Sequence, residues 1–419
     1  MKICLVSSFP PSKIVLNEYG YHVARELQAD PLVSLTIMAD ELEPAEPELP
    51  NFNVERCWQT NRFTNHGRLL RALRDVRPDV VWFNLVFSSF GTKESPLAAF
   101  SGLTLPAVTR MAGYYTHVTL HHLMDHIDLE DAGVRHKGLF RLAGHAATRM
   151  ILMANSVSVL LPAYRRTLIE KYRGENIHFR AHGILGARPE YPDFSRRGVP
   201  EHRILAFGKW GTYKRCEMLI ETFEENIAKR VPNARLVIAG SNNGNAPGYI
   251  ESLRARHGGN PRIEFSGYVQ EEDLPGVFST ASVMVMPYTS ATGASGVAHL
   301  AAQYGVPIIS SDIKDFREMC ENEYLAIRFY PIGDKAALAH EIIDLLQNES
   351  AQQEMAEQNF SAALRLTMPQ IIRQYVRSFD RDQRARALEA VSRFRRIPSW
   401  VPSRSAIFRA SSPKWGNWI

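Results

Sequence analysis

Cysteine is scarce: Cys4, Cys57, Cys216 and Cys320 are scattered through 419 residues with no Cys-x-x-Cys and no nearby histidine at ligand spacing. That excludes a disulfide framework and a structural zinc site as organising devices, and it fits a reducing cytoplasm. Long hydrophobic runs are also missing. No window approaches the roughly 18 apolar residues of a spanning helix, and Met1 to Pro11 offers only about five before turn formers, too few for a signal-peptide core. The N-terminus reads instead as a first buried strand. No Gly-x-Gly-x-x-Gly follows that strand, which argues against a dehydrogenase. No Asp-x-Asp stands at a strand end, so nothing calls for a divalent cation or another cofactor. No repeat of solenoid period is present.

What is there is ordinary globular material, 45% apolar and 22% charged, enough to build sizeable cores. The length predicts two or three domains at roughly 100–200 residues each, and two is the working number. The net charge of +5 is unevenly placed. Residues 381–419 hold nine Lys and Arg against Asp382 and Glu389, a local +7, and the rest of the chain sums to −2. A nucleic-acid binder would spread its positive charge over a groove-facing surface, so nucleic acid is not an expected partner.

Short apolar strands alternate with amphipathic helical stretches, the pattern of a parallel α/β sheet, and the pattern occurs twice. In the first half the strands read as 2–7, 34–39, 79–84, 116–121 and 156–161, with helices at 16–28 and 67–76. The run Met150-Ile151-Leu152-Met153 reads as the core-facing end of a helix. Residues 186–202 contain three prolines and two glycines, as a linker does. After it, strands read as 203–207, 234–239, 262–265, 283–287 and 307–311. The expected organisation is a Rossmann-like unit at 1–190, a second at 201–365, one or two amphipathic helices at 366–396 packing back on the first unit, and a basic aromatic tail at 397–419.

Ligands of doubly wound sheets bind at the carboxyl ends of strands, and anions favour helix N-termini. The segment Leu205 to Arg215 runs from a strand into a Gly-containing loop carrying Lys209 and Lys214, followed by a helix at 217–225. Two ammonium groups there suit a diphosphate; a solvated lysine-rich turn is the plainer alternative. Ser290 to Gly296, all small, follow the strand ending at Pro287 and open a helix, so that several amides can approach a ligand. A tight connection without a ligand would look the same.

Together these segments resemble the retaining glycosyltransferases of family 4. Gly208-Lys209 through Lys214 is similar to that family's Gly-Arg-Leu-x-x-x-Lys-Gly element. Leu236–Gly240, Ile263–Val269, Val285–Tyr288 and Gly305–Ile309 resemble its downstream series, in register. The resemblance covers about residues 1–365 and is strongest in the second half. It implies the GT-B fold, two Rossmann-like domains facing across a cleft, and transfer of a sugar from a nucleoside diphosphate with its anomeric configuration retained. By position, Gly208, Lys209 and Lys214 would hold the donor diphosphate, with Lys209 where the family usually has arginine. Gly267, Tyr268 and Val269 would border the base. Thr292 and the amides of Ala294, Ser295 and Gly296 would reach the sugar or phosphate. Thr116 to Leu123 resembles the family's Val-Thr-Leu-His-Asp strand end, which places His121 near the reacting sugar and His122 where aspartate is commoner. His182-Gly183-Ile184 resembles the hinge strand that enters the linker, whereas Pro10-Pro11 with Gly20 lacks the double glycine of the family's first loop.

One departure is large. The family's two glutamates, eight apart, fall on Thr292 and Leu300. Their loss leaves donor identity open, with Ser290, Thr292 or His299 as substitutes, and it motivates an alternative: a catalytically silent nucleotide-sugar-binding or assembly protein. A relative that cleaves or isomerises a nucleotide sugar is a further reading. The cluster His117, His121, His122, His126 invites a zinc reading, since His122 and His126 would share a helix face, but no Glu stands in the His-Glu-x-x-His position and the strand ends here. The expected function is a metal-independent retaining glycosyltransferase. Its donor would be a nucleoside diphosphate sugar and its acceptor a glycan or lipid-linked sugar, in surface polysaccharide or glycoconjugate synthesis. It would work in the cytoplasm, at the inner face of the membrane if the arginines and tryptophans of the tail enter the headgroup region; equally, the resemblance implies only the family's crossing-back helix with a disordered end.

Overall fold

The computed structural model of the protein describes residues 1–44, 46–92, 95–126, 137–185, 189–194, 200–244, 246–290 and 293–394. Met1–Ile372 form one compact unit and the chain from Arg373 onward a second. The first unit contains two wholly parallel sheets. One has seven strands in the order β3-β2-β1-β4-β5-β6-β7: β1 (Lys2–Val6), β2 (Ser34–Asp40), β3 (Val54–Trp58), β4 (Val80–Leu85), β5 (Tyr115–Leu120), β6 (Ser156–Val159) and β7 (Ile177–Phe179). The other has six in the order β10-β9-β8-β11-β12-β13: β8 (His202–Trp210), β9 (Ala234–Asn242), β10 (Ile263–Gly267), β11 (Ala281–Met286), β12 (Ile308–Ser311) and β13 (Ile327–Tyr330). Renumbered from its own first strand, the second sheet repeats the order of the first without its seventh strand. Each sheet reverses direction of growth between its first and fourth strand, the place where doubly wound sheets open a crevice for ligands.

Every residue of β4, β5 and β11 is buried. That explains why none of them carries an Asp, Glu, Lys or Arg, since helices cover parallel strands on both faces. Three strands were not expected. Val54-Glu55-Arg56-Cys57-Trp58 and Ile327-Arg328-Phe329-Tyr330 mix charged and apolar residues because they are or adjoin sheet edges, and β7 has three residues. β8 also differs from expectation: it continues as strand through Gly208 and Lys209 to Trp210, paired with β9, and the turn is Gly211 to Lys214. The pairing of Gly208 with Gly240 requires glycine, because a Cβ on Gly240, at φ +111°, would overlap the Gly208 carbonyl. The expected helix at 217–225 is α-helical over Glu217–Thr222 and passes into a π turn at Phe223–Ile227.

Met150 to Leu152 close the helix Lys137–Leu152, with Ile151 fully buried. Met368–Phe394 is one helix rather than two. The basic aromatic tail at 397–419 lies outside the described residues. Among the described residues no helix is long and apolar enough to cross a membrane.

Candidate active site

The carboxyl end of β8 delivers the two lysines. Lys209 is exposed, while Lys214 is half-buried in the turn, where it forms an isolated bridge with Tyr288. Its Nζ lies 4.8 Å from the centre of the Tyr288 ring and 5.9 Å from that of Tyr213. A cation over aromatic faces is attracted by their quadrupoles, but a ring does not neutralise charge. No described carboxylate pairs with either lysine. Burial, then repulsion from Lys209, pushes the Lys214 ammonium down to about 8. Gly208 leaves room beside it: a Cβ there would sit 3.8 Å from the Lys214 Nζ and 3.8 Å from the Tyr288 hydroxyl. That hydroxyl is buried with no described partner.

From Tyr288 the chain runs through the small-residue loop. Thr292 lies outside the described residues, and the loop re-enters at Gly293. Gly293, at φ +86°, is wedged against the other sheet: a Cβ on it would come within 2.5 Å of the His121 carbonyl oxygen. Its N–H donates to the buried Asp315 carboxylate at 3.1 Å, and the same oxygen accepts from the Tyr164 hydroxyl at 2.7 Å. Ser295 caps the helix Gly296–Gln303, its hydroxyl accepting from the Ala298 N–H at 3.2 Å, as N-cap serines do. No described group accepts from the amides of Ala294, Ser295 or Gly296. Ser295 and Gly296 open a helix, whose N-terminal partial positive charge favours an anion. Gly267 ends β10 at φ +76°, followed by the exposed Tyr268 and the half-buried Val269.

Across from this loop stands His121, at the carboxyl end of β5 and 8% exposed. Asn84 at the end of β4 gives its side-chain N–H to Ser7 Oγ at 3.1 Å, so its carbonyl accepts from His121 Nε2 at 2.6 Å. Nδ1 is therefore the lone-pair nitrogen. Burial, with His182 and His122 nearby, holds the His121 basicity well below the ordinary range, and the ring is neutral. His122 is also neutral, lowered to about 4 by burial, and lies against Phe87 with ring centres 5.9 Å apart. His122 and His126 do not share an α-helix, since the only helical element there is a single 3-10 turn, Met124–His126. Among the described residues no group of three His, Cys, Asp or Glu side chains is placed to hold a metal ion.

Two further histidines complete the cluster. The ring of His182, in the segment that leaves the first sheet, lies 5.0 Å from Tyr19, 6.1 Å from His121 and, stacked, 5.0 Å from His299. Sequence reasoning had His182 as a hinge alone, and its histidine identity was the overlooked signal. His299 is 1% exposed with both ring nitrogens engaged: Nδ1 with the Ser295 carbonyl at 2.7 Å and Nε2 with the buried Glu323 carboxylate at 2.6 Å. Burial works against its charge, but Glu323 prevails and raises its basicity. His299 thus has no nitrogen left for a substrate, and of the three substitutes considered for the missing glutamates it is the one withdrawn. Leu300 is packed against the core.

Residues 201–348 match the family described as Glycosyl transferases group 1. Over 132 residues the chain is 31% identical to an uncharacterized glycosyltransferase of Methanocaldococcus jannaschii, a match covering 31% of this chain and about a third (32%) of that relative's length. Among solved structures it is similar to a sucrose-phosphate synthase of Thermosynechococcus elongatus, with a TM-score of 0.71 at 16% identity over 92% of this chain and 100% of the other. It is also similar to Anabaena HepE solved with UDP, with a TM-score of 0.65 at 14% identity over 90% and 99%, and with UDP-glucose, at 0.63 and 16% over 91% and 99%. At such identities the likeness is one of fold, and the fold is GT-B.

Proposed function

We propose, for a chain whose residues 201–348 belong to the Glycosyl transferases group 1 family, that the protein transfers a sugar from a nucleoside diphosphate sugar to a glycan or lipid-linked acceptor with its configuration retained. The observation that carries this reading is the loop after β11. At Tyr288 it meets the unpaired Lys214, and at Gly293 it meets His121, so one short segment joins a cationic anion site to a neutral polar cluster on the facing sheet. Lys209, Lys214 and the amides of Ala294, Ser295 and Gly296 would hold the diphosphate and stabilise the charge that develops as it leaves. Gly267, Tyr268 and Val269 would border the base. The sugar then falls between the helix N-terminus and His121, with His122 behind it.

Retention requires the acceptor hydroxyl to arrive on the face that the diphosphate leaves. The C–O bond to phosphate breaks as the new C–O bond forms, and the hydroxyl proton passes to the departing phosphate oxygen. His121 is neutral and serves by hydrogen bonding. No step needs a metal ion, since the lysines and amides supply the positive charge. A cavity of about 510 Å³ at the carboxyl ends of β1 to β3, lined by Ser12, Lys13, Asp40, Glu43, Gln59 and Arg62 among others, offers the acceptor space on the first sheet. The setting we assign is surface polysaccharide or glycoconjugate synthesis in the cytoplasm, at the inner membrane face.

A silent nucleotide-sugar-binding protein is the second reading, favoured by Thr292 and Leu300 standing where the family has glutamates. A thermal-shift screen against UDP, GDP, ADP, CMP and their sugar conjugates, followed by product analysis with added acceptors, separates the two. A ligand that binds only the folded state raises the melting point. A selective shift with acceptor-dependent product supports transfer, a shift without product supports the silent reading, and no shift with any nucleotide sinks both.

A further inference from the structure

Three helices beside the first sheet turn the wrong side chains to water. Lys137–Leu152 directs small residues inward, with Gly144, Ala147 and Thr148 buried, and its leucines outward, Leu139 at 65% exposed and Leu142 at 67%. A helix seated on a core ordinarily buries its large apolar residues, so at these two positions it does the reverse. Pro96–Leu103 and Leu105–Met111 pack along it and add Leu97 and Met111, both more exposed still. At the far end Arg110 donates to the carbonyl of Met153, whose side chain is also exposed. Five of the fourteen exposed large apolar side chains among the described residues thus fall on adjoining helices, whereas apolar residues scattered singly over a surface need no partner.

The charge of these helices has one sign. They carry Arg110, Lys137, Arg141 and Arg149 and contain no Asp or Glu. Among the described residues Arg141 and Arg149 have no ion-pair partner, and the neighbouring Asp125 is taken by Lys171, Tyr172 and His145. The same helices adjoin the candidate site. A Cβ on Gly144 would overlap the side chain of Met124, three residues beyond His121, and one on Gly102 would overlap Phe90, five beyond the end of β4.

We infer that this face docks on the anionic surface of a phospholipid bilayer, with Leu97, Leu139 and Leu142 at the acyl boundary and the arginines at the headgroups. Interfacial helices combine apolar residues with Lys and Arg in this way, and each cation adds to the attraction of an anionic leaflet. Charge of a single sign suits such a leaflet better than it suits a protein surface, where both signs are interspersed. The inference rests on the proposed function for its membrane setting and for the lipid-linked acceptor, which this docking delivers beside His121.

The test is sedimentation of the full-length protein with vesicles of phosphatidylcholine alone and of phosphatidylcholine mixed equally with phosphatidylglycerol. Wild type is expected to bind the mixed vesicles about tenfold more tightly or better, and to lose that preference in high salt. The double variants Leu139→Glu with Leu142→Glu, and Arg141→Glu with Arg149→Glu, should each bind them about tenfold less tightly or worse. Both should keep the wild-type melting point. Should they not fold, Leu142→Cys carrying an environment-sensitive fluorophore decides, since the native cysteines are buried or half-buried. Its emission must move to the blue with mixed vesicles, and unchanged emission overturns the assignment. Variants that bind as wild type does would leave the membrane to the tail at 397–419, and a wild type that ignores vesicles would leave this face to a protein partner; either result overturns the inference. Vesicle binding without a thermal shift by any nucleotide sinks the donor reading alone, and a thermal shift without vesicle binding sinks this inference alone.

Discussion

The two sheets of this protein share one strand order and use it oppositely. The second sheet brings charge to its carboxyl edge and, among the described residues, leaves it uncompensated: Lys214 lies over aromatic rings without a carboxylate, and no described group accepts from the amides of Ala294, Ser295 and Gly296. The first sheet brings polar groups to its edge and satisfies them among themselves. Ser7, Asn84 and His121 form a chain of hydrogen bonds, and burial keeps the histidine neutral. A site that waits for an anion must keep its cations unpaired, whereas a site that orients hydroxyls must hold its polar atoms rigid. The identical topology therefore does not imply a shared role.

That contrast can be broken at several points. The largest effect is expected where the second sheet does neutralise a buried charge. Glu323→Ala deprives the buried His299 of the partner that raises its basicity and should cost about 3–5 kcal/mol of stability in denaturant unfolding, as breaking a buried pair does. Asn84→Ala, which removes the partner of a neutral ring, should cost only about 1–3 kcal/mol. Equal costs would mean that Glu323 does not raise the His299 basicity. Next, His121→Ala should lower turnover by roughly a hundredfold, the scale of one preorganised polar contact at a reacting centre. Its Kd for the nucleoside diphosphate should stay near wild type, and normal turnover would remove His121 from the site. Lys214→Ala should raise that Kd about tenfold or more, the loss of one charged contact.

A pH titration of binding sharpens the same point with a smaller effect. Lys214 is held near 8, so diphosphate affinity should decline as pH rises through 8 and the ammonium loses its proton. In Lys214→Ala this decline should disappear. The lowered value also means that the folded protein disfavours the protonated lysine. Between about 8 and the ordinary lysine value the unfolded chain binds more protons, so the ligand-free protein should gain stability with pH over that interval. The smallest effect is expected from chelators: EDTA should leave turnover within about twofold, and abolition of activity would overturn the metal-independent reading.

Much of this architecture was legible in the residues themselves. Strands covered on both faces keep charge out of their middles, so β1, β4, β5, β8 and β11 announce themselves, while β3 and β13 at the edges carry Glu55, Arg56 and Arg328 and do not. Lys209, Lys214 and the run of small residues before Gly296 were visible as a local pattern, because strand, turn and helix N-terminus are consecutive in the chain. Only folding could decide what each polar atom has left to offer. His299 and Glu323 are 24 residues apart, and Asp315 meets Tyr164 across 151. Those long-range partners settle which nitrogens are engaged, which histidines are neutral and which lone pairs remain. The amino-acid pattern determined the two sheets and the placing of Lys209, Lys214 and the run of small residues at strand ends. Tertiary packing decided the protonation and the free valence of the histidines between them, because both depend on burial and on partners brought together from distant parts of the chain.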